Sequence, residues 1–165
     1  MTGRRASGSA AAIEPDAPAI ELGDLADSLS FHMKRTDALV FQHFNRRIPR
    51  SRMVRGEIAI MMLVRTNPGL NQDAVGRSVG LDKSTISAAI AKLKDRRLIE
   101  QRSSQDKRVR HLYLTPSGRD FLKRMVPLVD LHEIEIAAGL SLAERETLIA
   151  LLDRVFQSVA RLEDA

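Results

Sequence analysis

The chain has 165 residues, 44% hydrophobic, with nine glycines and six prolines, which is enough to bury one core and excludes a fibrous or wholly disordered protein. It has no cysteine, which removes disulfides, thiolate metal sites and thiol redox sensing together and suits a reducing cytoplasm. The net charge of +5 is unevenly spread: residues 82–110 hold nine Lys/Arg against four Asp/Glu, while from Asp130 onward eight acids face three arginines. A second basic run comprises Arg46, Arg47, Arg50, Arg52 and Arg55. A basic middle and an acidic final part give one surface that attracts polyanions and another that repels them. The longest strongly apolar run, Ile58–Val64, is too short to span a bilayer, and the stretch after Arg4-Arg5 predicts no export segment.

In chain order, residues 1–18 are small and polar with no apolar period, and read as a disordered leader. Leu22, Leu25, Leu29, Met33, Leu39, Val40, Phe44 and Ile48 recur with a helical period, which predicts one long helix from Leu22 to Ile48, ended by Pro49. Val54–Arg65 is apolar on nearly all sides and reads as a buried helix, stopped by Asn67-Pro68-Gly69. A short helix over Asn71–Val79 is broken by Gly80, and Asp82 caps the next, which runs to about Arg96. Ile99–Ser103 and Val109–Leu114 read as paired strands, with Leu112 and Leu114 on one face and His111 and Tyr113 on the other. Thr115 is an N-cap with Pro116 at the first helical position; that helix runs towards Ala138, bent at Pro127 and ended by Gly139. Ser141 and Glu144 form a capping box that opens a last helix to about Leu162. The expected class is mainly α with a small β-hairpin wing.

The centre of this pattern is a helix-turn-helix. Gly76 is the small residue where two helices touch and Gly80 makes the turn. Val75, Val79, Leu81 and Ile86 plug the interface. Ile86, Ile90 and Leu93 recur at i, i+4, i+7 and face the core, which turns Lys83, Ser84, Thr85, Ser87, Ala88 and Lys92 outward. Small hydroxylic residues at the start of such a helix suit base edges in a major groove. The hairpin tip from Arg102 to Arg110 carries four basic residues and one acid. Within it Asp106 can orient Arg108 for a minor groove, with Lys107 and Arg110 beside it.

Taken together, these residues resemble the MarR family of bacterial transcriptional regulators over 22–162. The matching stretches are Asn71-Gln72 through Lys83-Ser84-Thr85-Ile86-Ser87, Leu93 to Gln101, Asp106-Lys107-Arg108 and Leu112 to Gly118. The family's Asp-x-Arg wing pattern falls on Asp106 and Arg108. Gly139-Leu140-Ser141 followed by Glu144 resembles the start of the family's last helix. The resemblance implies a homodimer with interlocked first and last helices that binds double-stranded operator DNA. It gives a winged helix-turn-helix lobe over 49–118 and a helical dimerisation region over 19–48 and 119–165. It also implies release from DNA by a small aromatic acid or related metabolite.

A polar stripe on the first predicted helix supplies partners for such an effector. His32, Thr36 and His43 fall within about 40° of one another on a helical wheel, flanked by Arg35 and Arg46. An aromatic carboxylate, or its coenzyme A thioester, is the expected ligand class. No metal site is expected, since His32, His43, His111 and His132 lack ligand-pair spacing, and no cofactor is implied. Two alternatives stand beside this reading: a ligand-blind winged-helix architectural protein, and a small Ser/His hydrolase. The second lacks a nucleophile elbow and a phosphate loop.

Overall fold

The computed structural model of the protein describes residues 20–47, 56–103 and 110–163. In chain order a 3₁₀ turn, Gly23–Asp27, precedes α1 (Leu29–Arg47), α2 (Glu57–Thr66), α3 (Gln72–Val79) and α4 (Lys83–Asp95). Strands β1 (Ile99–Ser103) and β2 (Arg110–Leu114) follow, then α5 (Pro116–Ile136) and α6 (Leu142–Glu163). The expected class, mainly α with a small hairpin, is what folds. The chain divides into two compact units, one ending at Asp37 and the other starting at Ala38.

The expectation of one unbroken helix from Leu22 is corrected in the first unit. Gly23 takes φ +51° and opens the 3₁₀ turn, and Ser28 is extended at φ −82°, ψ 106°. The Ser28 hydroxyl then accepts from Phe31 N at 3.3 Å, so α1 starts afresh after it. Apolar periodicity does not register a left-handed glycine or a serine that competes for the backbone. Pro49 and the predicted start of the second helix at Val54 lie outside the described residues, and α2 begins at Glu57 after Gly56 in the left-handed region. α5 passes through Pro127 and stops at Ile136, ahead of Gly139.

The second unit has one core. It is assembled from Ile60, Met61 and Val64 of α2, Val75 of α3, Ile86, Ala89, Ile90 and Leu93 of α4, and Leu122 and Met125 of α5. Leu98, Ile99, Leu112 and Leu114 close it from the hairpin, whose antiparallel register pairs Ile99 with Leu114 and Ser103 with Arg110. The helix-turn-helix folds as its residue types require. Asn71 caps α3 by accepting from Ala74 N at 2.7 Å, and Gly80 turns the chain at φ +65°. A Cβ on Gly76 would meet Ile86 Cγ2 at 3.4 Å and Leu81 O at 3.5 Å, so α3 and α4 are in contact there. Glu57 is buried at 1% exposure with Arg96 Nη1 3.4 Å from Oε2, an ion pair that ties the start of α2 to the end of α4.

Two local geometries fix the path from α4 into the wing and out again. α4 ends in a Schellman pattern, with Leu98 N donating to Leu93 O (2.9 Å) and Arg97 N to Lys94 O (2.7 Å). That places Arg97 at φ +56°, a conformation glycine favours. The start of α5 is pressed against Leu98: Thr115 N donates to Leu98 O at 3.1 Å, and a Cβ on Gly118 would lie 1.9 Å from that oxygen. By contrast α6 buries no residue, and Leu142, Ile149, Leu151, Phe156 and Leu162 are exposed along it, as are Leu128, Leu131 and Ile134 on α5. Isolated in water, such a surface is unstable.

Gly118→Ala forces backbone apart and should lower unfolding free energy by about 3 kcal/mol in a urea titration. Arg97→Gly should act oppositely, raising it by about 0.5–1 kcal/mol, because relief of the left-handed strain outweighs the added freedom of the unfolded chain.

Candidate nucleic-acid interface

The second residue set on α4 faces outward as a unit. Lys83, Ser84, Thr85, Ser87, Ala88 and Lys92 are all exposed, while Ile86, Ala89, Ile90 and Leu93 are buried behind them. The buried set locks the rotation of α4, so its exposed face is fixed by core packing. The hydroxyls at its start are not idle. Asp82 Oδ1 accepts from Ser84 N (2.8 Å), Ser84 Oγ (2.5 Å) and Thr85 N (2.9 Å), and Oδ2 accepts from Thr85 Oγ1 at 2.6 Å. The Ser84 and Thr85 hydroxyls, then the two backbone N–H groups, hold the Asp82 carboxyl far below the usual carboxylate range. Ser87 Oγ donates to Lys83 O at 2.7 Å and accepts from Gln72 Nε2 at 2.7 Å.

Arg110 is exposed at the outer end of β2, opposite Ser103. Asp106, Lys107 and Arg108 lie outside the described residues. At the root of the wing Arg102 is held by Glu100 (2.6 and 3.0 Å) and covers the Tyr113 ring at 4.4 Å. His111 Nδ1 contacts Gly69 O at 2.5 Å, tying the loop after α2 to β2.

The residues predicted to meet an effector fall into the two units. In the first, His32, Arg35 and Thr36 are exposed; His32 Nε2 lies 2.8 Å from Ala26 O, and the Arg35 guanidinium covers Phe31 at 5.4 Å. In the second, Arg46 is exposed and His43 joins a cluster that sequence reading missed. His43 Nδ1 is 2.9 Å from His132 Nδ1, the rings stack at 5.1 Å, and Phe44 meets His132 edge-on at 5.3 Å. His43 Nε2 lies 3.5 Å from Glu135, whose carboxylate also takes a two-point contact from Arg47. The signal for His132 was present in the spacing. It continues the core series Leu122, Met125, Val129 at steps of three and four, and it is 3% exposed. Among the described residues no group of His, Asp and Glu is arranged to hold a metal ion.

Burial, and then the neighbouring His43 ring, hold the His132 imidazole below the usual histidine value. The unfolded chain therefore takes up this proton first as pH falls. Its stabilising effect is full above about pH 6.5 and is lost below that value. Unfolding free energy should fall between about pH 7.5 and 5.5, and His132→Phe should make that slope shallower in parallel urea titrations.

The comparisons with known proteins agree with this geometry. The MarR family profile matches residues 51–109. The chain is 34% identical over 137 residues, 82% of each sequence, to a Thauera aromatica protein described as a candidate transcriptional regulator for the hcr operon. The fold is similar to that of the transcriptional regulator PcaV of Streptomyces coelicolor in complex with its natural ligand, with TM-score 0.77 and 26% identity over 85% of this chain and 99% of that one. It is likewise similar to the transcriptional repressor CouR bound to a 23-mer DNA duplex, with TM-score 0.74 and 27% identity over 82% of this chain and 97% of that one. Among the described residues no helix is long and apolar enough to cross a membrane. With a helix-turn-helix, a hairpin wing and relatives that are regulators rather than enzymes, the chain belongs to the MarR family of winged-helix transcriptional regulators.

Proposed function

We propose that the protein is a homodimeric repressor that occupies a pseudo-palindromic DNA operator and leaves it when a small aromatic carboxylate, or its coenzyme A thioester, binds. The observation that carries this reading is the α4 face: six exposed polar, basic or small residues backed by four buried apolar ones. Lys83, Ser84, Thr85, Ser87 and Ala88 meet base edges in the major groove, and Lys92, Lys107 and Arg110 meet phosphates. Arg108, oriented by Asp106, enters the adjacent minor groove. The apolar side chains exposed on α5 and α6 supply the surface for a second copy. Two lobes related by a twofold place their half-sites about 10 base pairs apart. The dimerisation region comprises 19–48 and 119–165, around a DNA-binding lobe at 49–118.

For the effector, a structural neighbour supports the reading: the transcriptional repressor CouR has been seen bound to p-coumaroyl-CoA. In this chain His32, Arg35, Thr36, His43 and Arg46 are the groups for an anionic ligand. Arg47 and His43 already hold one carboxylate, that of Glu135, so this part of α1 is suited to such a group. Release requires that the ligand favour the DNA-incompetent arrangement, and a coupling of about 1–3 kcal/mol lowers occupancy several-fold or more.

A panel of aromatic acids and their thioesters, titrated against a labelled operator, tests the reading. At least one member should displace the DNA, and Arg46→Ala should raise the concentration needed about tenfold with little change in operator affinity before ligand is added. A panel with no active member removes this ligand class. An Arg46→Ala protein that binds operator weakly from the outset makes Arg46 a phosphate contact instead.

A further inference from the structure

Three hydroxyls stand at the exposed start of α4, and the proton of each has a fixed destination. Ser84 Oγ and Thr85 Oγ1 lie 2.5 and 2.6 Å from the Asp82 carboxylate, which can only accept, so both hydroxyls donate to it. Ser87 Oγ lies 2.7 Å from the Lys83 carbonyl oxygen, which also only accepts, and the Gln72 amide donates into Ser87 from the other side. A hydroxyl has one proton and two lone pairs. With every proton turned inward, lone pairs are what these side chains have left to offer. Asp82 stays ionised throughout the working pH range, since its four hydrogen bonds hold it well below the usual carboxylate range.

We infer that Asp82 is a specificity-positioning residue: it fixes the Ser84 and Thr85 protons so that the start of α4 accepts from amino-bearing bases and rejects keto edges. The inference rests on the reading of α4 as the base-reading helix. In the major groove adenine N6 and cytosine N4 donate, whereas thymine O4 and guanine O6 accept. Each base pair carries one group of each kind, so an acceptor-only hydroxyl does not separate A·T from C·G. It reports which strand bears the amino group. The operator positions facing Ser84, Thr85 and Ser87 are therefore degenerate for A or C on one strand and exclude G or T. Lys83, with three donors, has the opposite taste and lies outside this rule.

Selection of binding sites from a randomised duplex library, with the full chain, tests this. The set is the wild type, Ser84→Ala, Thr85→Ala, Ser87→Ala and Asp82→Asn. Asparagine caps a helix as well as aspartate does, but its amide can donate to one of the two hydroxyls and turn that proton outward. Positions whose preference flattens in an alanine variant should show A or C over G or T by about three- to tenfold in the wild type. Asp82→Asn should bring at least one position read by Ser84 or Thr85 close to indifference. It should leave the Ser87 position as it was, with an unchanged circular-dichroism spectrum to show that the fold is intact. G or T at the alanine-sensitive positions overturns the inference, as does an Asp82→Asn protein with wild-type preference. If all three alanine variants keep the wild-type preference, the reading of α4 falls first and the inference falls with it.

Discussion

The contact between Leu98 and the first turn of α5 is the constraint on which the DNA-binding lobe depends. Leu98 is where three elements meet: it accepts from Thr115 N, its own N–H closes the end of α4, and β1 begins one residue later. Thr115 Oγ1 adds a bond to Arg97 O at 2.6 Å while accepting from Gly118 N at 2.9 Å. The start of α5 can approach the turn before β1 this closely only because Gly118 lacks a Cβ that would overlap the Leu98 carbonyl. The direction in which the wing leaves α4 and the direction in which α5 departs are thus set at one point. In the proposed DNA complex, a wing entering a minor groove beside the reading helix needs such a joint, since a small angular error at the root grows along the hairpin.

The same economy holds at the other end of α4. Asp82 satisfies two of the backbone N–H groups that any helix start leaves open, and with its remaining capacity it holds two side-chain hydroxyls. A capping residue and a recognition surface compete for the same hydroxyls in principle. Here one carboxylate resolves the competition by supplying more acceptor sites than the cap consumes. Rigid placement follows, and with it a defined donor–acceptor character for the exposed face.

Much of this was legible in the sequence, because the features that survive folding were those with a local physical cause. The i, i+4, i+7 pattern of Ile86, Ile90 and Leu93 names the buried side of α4, and the Ser141–Glu144 box appears as a reciprocal pair of hydrogen bonds at 2.8 and 3.3 Å. Alternation in β2 separates the buried Leu112 and Leu114 from His111 and Tyr113 correctly. What was not legible depends on distant partners or on backbone angles. Nothing in the spacing of α1 shows that His43 would meet His132, 89 positions away. Nor does apolar periodicity reveal that Gly23 and Ser28 interrupt the first helix, since both sit between residues that keep the period. Arg97 is a further case, an arginine holding a position where glycine is the usual signal.

These separate observations meet on α5. Its first turn carries the Gly118 joint that aims the wing, and its later turns carry His132 and Glu135, to which His43 and Arg47 of α1 are bonded. Fourteen residues of helix separate Gly118 from His132, roughly 21 Å at the usual rise. Pro127 lies between the two sites, and an interior proline removes one bond of the helical ladder, so α5 connects them through a helix with a weakened midpoint. The joint leaves no room for a side chain, because a Cβ on Gly118 would overlap the Leu98 carbonyl oxygen. Coupling between two such sites needs an element with discrete arrangements that both ends bias. α5 thus joins the His43–His132–Glu135–Arg47 cluster to the turn from which the wing and α4 diverge.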